Sequence, residues 1–186
     1  MKLADKFKGW TLFLDRDGVI NEKLENDYVK DWSEFRFKTG ALQAITGLSN
    51  IFSRIFIVTN QRGVGLGLMT AKGLHEIHAK MFSEIINASG RIDQIYYCAG
   101  IDDRDECRKP NTGMGLKAKQ EFPDIDFSKS IMVGDSISDM EFGKKLGMKT
   151  VYISVRDNFI PNYQYTLVDF NFGSLLEFAE ECKIPI

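Results

Sequence analysis

The 186-residue sequence is poor in several things that would each have pointed to a class of protein. It has no apolar run near the ~20 residues a membrane-spanning helix needs. Its first nine residues, Met1 to Gly9, lack the apolar core of a secretory signal. Its three cysteines, Cys98, Cys107 and Cys182, are an odd number and too few for a disulfide-built scaffold, so a reducing cytoplasm is the simplest location. It has no excess of positive charge: 24 Lys+Arg face 26 Asp+Glu, a formal net charge of −2, which argues against a general nucleic-acid binder. Proline is scarce, at four, while glycine reaches 16, a balance suited to tight loops between regular elements. A 44% hydrophobic and 27% charged content excludes a disordered chain, and the length suits one domain spanning 1–186.

Short apolar runs alternate with helical patterns. Strands are expected over 10–14, 55–58, 92–97, 131–133 and 150–153, with a last one near Leu167. Helices are expected from Ala41 to Leu48, from Leu74 to Ile85 with Thr70 as N-cap, from Leu116 to Phe122, around Met140 to Leu146 with Gly147 as terminator, and from Ser174 to Cys182. This alternation predicts an α/β fold: a three-layer sandwich around a Rossmann-like parallel sheet. Such sheets bind ligands at the carboxyl ends of their strands.

Those ends carry the polar residues. Asp15-Arg16-Asp17-Gly18 follows the first strand, Thr59-Asn60-Gln61-Arg62 the second, Arg108-Lys109-Pro110 a loop after the third, and Gly134-Asp135-Ser136-Ile137-Ser138-Asp139 the fourth. Asp15, Asp17 and Asp135 offer hard oxygen ligands suited to Mg²⁺, and crowded carboxylates require a cation to hold them. Lys109 adds a point charge and Thr59 a hydroxyl, which together suit a phosphoryl group. An aspartate can serve as nucleophile, with a second carboxylate two residues on as general acid and base.

These four motifs, Asp15-x-Asp17, Thr59, Lys109 and Gly134-Asp135-x-x-x-Asp139, resemble those of the haloacid dehalogenase superfamily of phosphohydrolases. The wider set, with Asp27-Tyr28-Val29, Trp32, Glu34-Phe35, Phe37, Asn60-Gln61 and Arg108-Lys109-Pro110-x-x-Gly113-Met114, resembles the branch that contains histidinol-phosphate and heptose bisphosphate phosphatases. The resemblance implies Asp15 as nucleophile and Asp17 as acid/base. It implies Mg²⁺ on Asp15, Asp135 and the Asp17 carbonyl, and Thr59 and Lys109 on the phosphoryl. Asn60, Gln61, Arg62 and Arg108 would line the substrate side, and Asp139 would orient Lys109. A small phosphorylated metabolite is the expected partner, with no nucleic acid, no membrane and a monomeric chain. No separate cap domain fits in the length, so loops 21–38 and 98–109 are expected to cover the site.

Two positions depart from the branch. Its zinc loop, Cys-x-His then Cys-x-Cys, is reduced here to Cys98 and Cys107, with Gly100 and Asp105 at ligand positions, so zinc is not expected. The loop is expected to be held instead by the polar contacts of 102–106. Arg62 also stands where a small residue is usual, and Leu66 where an arginine is.

The remaining motifs favour ordinary readings. Gly63-x-Gly65-x-Gly67 lacks dinucleotide-binding spacing and reads as a mobile loop. His75 and His78 read as surface or satisfied helix residues, Met69 and Met81 as core, and Lys144-Lys145 as a solvated helix end. Two rival functions remain open: a receiver-type phospho-aspartate domain, which has no use for Asp17, and a nucleic-acid 3′-phosphatase.

Overall fold

In the computed structural model, residues 7–154 and 166–182 are described. Six parallel strands form one sheet in the order β3-β2-β1-β4-β5-β6. They are β1 (Thr11–Leu14), β2 (Arg54–Asn60), β3 (Gln94–Cys98), β4 (Ser130–Gly134), β5 (Lys149–Ile153) and β6 (Phe170–Phe172). The helices are α1 (Ala41–Ser49), a single turn α2 (Arg62–Gly65), α3 (Ala71–Asn87), α4 (Gly113–Glu121), α5 (Ile137–Lys145) and α6 (Leu175–Glu181).

Strand residues alternate between two buried faces. Leu12, Leu14, Ile55, Ile57, Ile131 and Val133 join one apolar cluster with α1, α3 and α6. Phe13, Phe56, Val58 and Met132 join a second with α4 and α5. The period-two alternation of side chains along each strand therefore builds both outer layers of the sandwich.

Local signals set the boundaries. Thr70 Oγ1 accepts from Gly73 N at 3.0 Å and caps α3. Gly147 takes φ 81° just beyond α5 and ends it. Ser136 and Asp139 form a reciprocal capping box at the start of α5.

Two expectations change. The Gly63-x-Gly65-x-Gly67 segment opens with the helical turn α2 instead of an open loop. Lys144 is not simply solvated: its ammonium bonds Asp169 at 2.5 Å, and Lys149 joins the same carboxylate. His75 is exposed and His78 is buried with Arg16 as its partner, in keeping with their reading as surface or satisfied helix residues. No helix among the described residues is long and apolar enough to cross a membrane.

Strand order reverses between β1 and β4, which pair in parallel at the middle of the sheet. At such a switch point the connections leave in opposite directions and open a crevice beyond the strand ends. Loop 21–38 rises beside that crevice. Its neck is closed by Glu22 N donating to Arg36 O and Lys38 N to Ile20 O, at 2.8 and 2.9 Å. Trp32, Phe35 and Phe37 pack together above it, with ring centroids 4.9 to 6.4 Å apart. The aromatic residues thus anchor the loop, leaving its polar residues to face the crevice.

Candidate active site

A cavity of about 300 Å³ opens over the ends of β1 and β2. Asp15, Asp17, Asn60, Gln61, Arg62, Arg108, Lys109 and Asp139 all line it. The sequence-predicted residues therefore converge, with two qualifications. Thr59 is buried just behind, its Oγ1 accepting from Gln61 Nε2 at 2.9 Å. Asp135 faces an adjoining cavity of about 580 Å³.

Asp15 extends β1 by one residue, its backbone N donating to Val133 O. Its carboxylate accepts from Arg16 N at 2.8 Å and pairs with Lys109 Nζ at 2.9 Å. Burial pushes the Asp15 carboxyl up to about 7; Lys109 opposes this, while Asp139, Asp135 and Asp17 add to it.

Lys109 is itself buried, and donates to Asp139 at 2.5 Å and Val58 O at 2.8 Å. Burial works against its charge, but Asp139 and Asp15 outweigh burial and hold the ammonium up to about 12. Asp139 thus pairs directly with Lys109. Its other oxygen accepts from Ser136 N and Oγ.

Asp17 sits two residues on and is held by side chains. Arg16 Nη2 donates to both its oxygens at 2.9 and 3.0 Å, Asn21 Nδ2 to Oδ1 at 2.9 Å, and Gln61 Nε2 to Oδ2 at 2.8 Å. Burial would raise this carboxyl, yet the Arg16 charge and the Asn21, Arg16 and Gln61 hydrogen bonds win, and it lies below the usual carboxylate range. Asp15 and Asp17 are thus pushed in opposite directions, the pattern that separates two chemical roles in one site.

Oxygens of Asp15, Asp135 and Asp139 lie within 4.8 Å of one another. Asp139 already accepts on both oxygens, from Lys109 and from Ser136, while Asp15 and Asp135, on which the resemblance puts a cation, are partnered by Lys109 and Lys23. The Asp17 carboxylate lies outside this cluster, which leaves its backbone carbonyl as the group the resemblance would use. The acidic pair fits a divalent ion by its donor chemistry. One feature shows the demand for positive charge. Lys23 Nζ reaches across to Asp135 at 2.9 Å. A Cβ on Gly18, at φ +86°, would stand 2.1 Å from Asp135 Oδ2, so glycine lets the carboxylate approach the chain.

Some of the cavity residues make further contacts. Asn60 makes a reciprocal pair with the Lys109 backbone: Nδ2 donates to Lys109 O and Lys109 N donates to Oδ1, both at 3.0 Å. It clamps the 98–109 loop to the end of β2 as well as lining the cavity. Gln61 bridges Asp17 and Thr59. Arg108 is aimed by Asp103 Oδ1 at 3.1 Å, while Arg62 is exposed at the cavity wall.

The 98–109 loop also differs from expectation. Asp102, Asp103 and Asp105 make the polar contacts anticipated for it. Cys98 and Cys107 are additionally joined as a disulfide, their Cα atoms 5.5 Å apart. The chain returns to the end of β3 to present Lys109, which brings the two thiols together. Lys23 and Arg16 had no role assigned from the sequence. The intervening position of Arg16 between the two aspartates was the one available signal.

With this geometry, the comparisons decide the family. The model of polynucleotide kinase 3 phosphatases matches residues 11–181. The chain belongs to that family, within the haloacid dehalogenase phosphatases. Among relatives, a D-glycero-alpha-D-manno-heptose-1,7-bisphosphate 7-phosphatase from Mycobacterium tuberculosis is 41% identical over 133 residues, covering 71% of this chain and 70% of that protein. An enzyme of the same name from Campylobacter jejuni is 37% identical over 142 residues, covering 76% and 80%. The D,D-heptose 1,7-bisphosphate phosphatase from B. bronchiseptica, solved with magnesium and phosphate, superposes with TM-score 0.80 at 29% identity, covering 92% of this chain and 97% of that one. Family membership makes this chain a phosphoric monoester hydrolase.

Proposed function

We propose that this phosphatase removes one phosphoryl group from a heptose 1,7-bisphosphate through an aspartyl-phosphate on Asp15, with Mg²⁺ as cofactor. The observation that carries the mechanism is the opposed pair: Asp15 paired with Lys109 at the floor of the cavity, and Asp17 held by Arg16, Asn21 and Gln61 beside it.

Asp15 attacks phosphorus in line with the leaving oxygen. Lys109 and backbone N–H groups after β1 offset the charge on the equatorial oxygens. Asp17 rests ionised. The negative charge of an entering phosphoryl group raises its proton affinity, so it carries a proton to the leaving oxygen. Released of that proton, it accepts another from the water that attacks the aspartyl-phosphate. The Arg16 guanidinium favours this second, basic role. Asp15, Asp135 and the Asp17 carbonyl would hold Mg²⁺, which would supply charge neutralisation at the phosphoryl oxygens. Loops 21–38 and 98–109 roof the single domain and exclude water, and Arg62 and Arg108 supply cations for a second anionic group on the substrate.

The substrate rests on the relatives' names, supported by the paired arginines at the cavity rim. The family model's description favours one other reading, a 3′-phosphorylated polynucleotide. A formal charge of −2 and a cavity of about 300 Å³ fit a small sugar better. Phosphate release should be measured on phosphorylated sugars, histidinol phosphate and a 3′-phosphorylated oligonucleotide, with and without Mg²⁺. The fastest turnover is expected on heptose 1,7-bisphosphate. Preference for either of the others would replace the substrate, and no Mg²⁺-dependent release on any would overturn the enzyme.

A further inference from the structure

Arg16 is the largest of the fully buried side chains, with 1% exposure, although it carries an obligate charge. A guanidinium removed from water costs several kcal/mol unless its donors are matched. Its Nη2 and Nε donors are taken up by Asp17. Its Nη1 end reaches a different partner, His78 Nε2 at 3.2 Å, 62 residues away on α3.

His78 lies on the inward side of α3, with Leu74, Ile77, Met81 and Ile85, and is 7% exposed. Burial first, and the Arg16 charge second, lower its pKa to about 3. The imidazole is therefore neutral, and with a guanidinium in front of it Nε2 must accept while Nδ1 carries the hydrogen. The edge of the Tyr97 ring, 6.1 Å between centroids, faces the same imidazole. Nothing on α3 lines the active-site cavity. The helix still reaches the chemistry through this one contact.

We propose that His78 is a positioning residue for catalysis: by accepting from Nη1 it fixes the plane of Arg16, and Arg16, gripping both oxygens of Asp17, fixes the direction in which that carboxylate faces the leaving oxygen. The grip is between neighbours in sequence, so a rotation of the guanidinium carries the carboxylate with it. Without an acceptor at position 78, a buried Nη1 is left unmatched and the guanidinium turns to find one. Asn21 and Gln61 each hold one oxygen of Asp17 and leave this rotation only partly opposed. The inference rests on the phosphatase reading above and deepens it.

The test uses the full chain with Mg²⁺ and two substrates of different leaving-group quality. One is p-nitrophenyl phosphate, whose leaving oxygen needs little protonation. The other is whichever alkyl phosphate the wild type hydrolyses fastest. His78→Leu removes the acceptor at similar volume, and His78→Gln keeps an acceptor near the Nε2 position. His78→Leu is expected to lose about tenfold in kcat/KM on the alkyl phosphate, as misdirected acid catalysis would cause, and much less on p-nitrophenyl phosphate. His78→Gln is expected to restore most of the loss. Should the leucine variant not fold, His78→Asn, too short to reach Arg16, replaces it in the comparison with glutamine. Equal losses on both substrates, no loss, or a glutamine variant as impaired as the other would overturn the positioning role. A wild type inactive on both substrates would instead overturn the phosphatase reading itself.

Discussion

Asp15 should make the stability of the metal-free protein fall as pH rises, and Asp15→Asn isolates that effect. Burial raises its folded pKa from 3.8 to about 7. The folded state therefore holds a proton that the unfolded state has already released across that interval. Stability is fully present below the unfolded value and is lost as pH climbs toward the folded one, the reverse of an ordinary salt-bridged aspartate. Each pH unit inside the window removes ~1.4 kcal/mol, so the loss between pH 5 and pH 7 is about 2 kcal/mol once the curve flattens near the folded pKa. Asparagine keeps the shape and an acceptor for Lys109 but does not titrate. Urea unfolding of both proteins in a chelator, at pH 5, 6 and 7, should show the variant gaining about 2 kcal/mol on the wild type. Adding Mg²⁺ should restore the wild type at pH 7, because a cation binding the ionised folded form stabilises it by mass action. The same variant should hydrolyse nothing. Stability differences that stay parallel across the pH range would refute a carboxyl perturbed by burial and by its like-charged neighbours.

Three other perturbations follow from the geometry. Lys109→Met leaves Asp15 and Asp139 buried without their cation and should destabilise by about 3–5 kcal/mol at neutral pH, by denaturant titration, with the loss shrinking in acid as Asp15 protonates. Gly18→Ala sets a Cβ 2.1 Å from Asp135 Oδ2 at a left-handed φ of +86°, and should lose on the order of 1–3 kcal/mol together with Mg²⁺ affinity measured by calorimetry. Cys107→Ser opens a loop of sequence separation nine, worth about 2–3 kcal/mol in the chain-entropy account; a reductant should lower the wild type toward the variant and leave the variant unchanged.

Much of the site was legible because the chemistry is carried by short motifs tied to strand ends. Asp15 and Asp17 follow β1, Thr59 to Arg62 follow β2, and Asp135 and Asp139 follow β4. A parallel sheet brings all of those ends to one edge. Boundaries were less legible. The third strand runs over Gln94–Cys98, starting two residues and ending one residue later than the apolar run suggests, because pairing with Phe56–Asn60 sets the register. The reading of His78 as a surface or satisfied helix residue holds, but its partner Arg16 was not legible in the sequence. Its apolar neighbours look the same whether the imidazole meets solvent or a guanidinium.

The sequence alone determined the α/β sandwich, since period-two strands between amphipathic helices leave few other ways to bury both faces. It also determined which side chains gather at the carboxyl edge. Only the tertiary structure decided how those side chains share their partners. Lys23 meets Asp135 across 112 residues, and Arg16 meets His78 across 62. Asn60 turns to the Lys109 backbone, and Cys98 meets Cys107. Each pairing depends on where a loop returns in space. Hydrogen bonds act over about 3 Å, a scale that the order of residues along the chain does not specify.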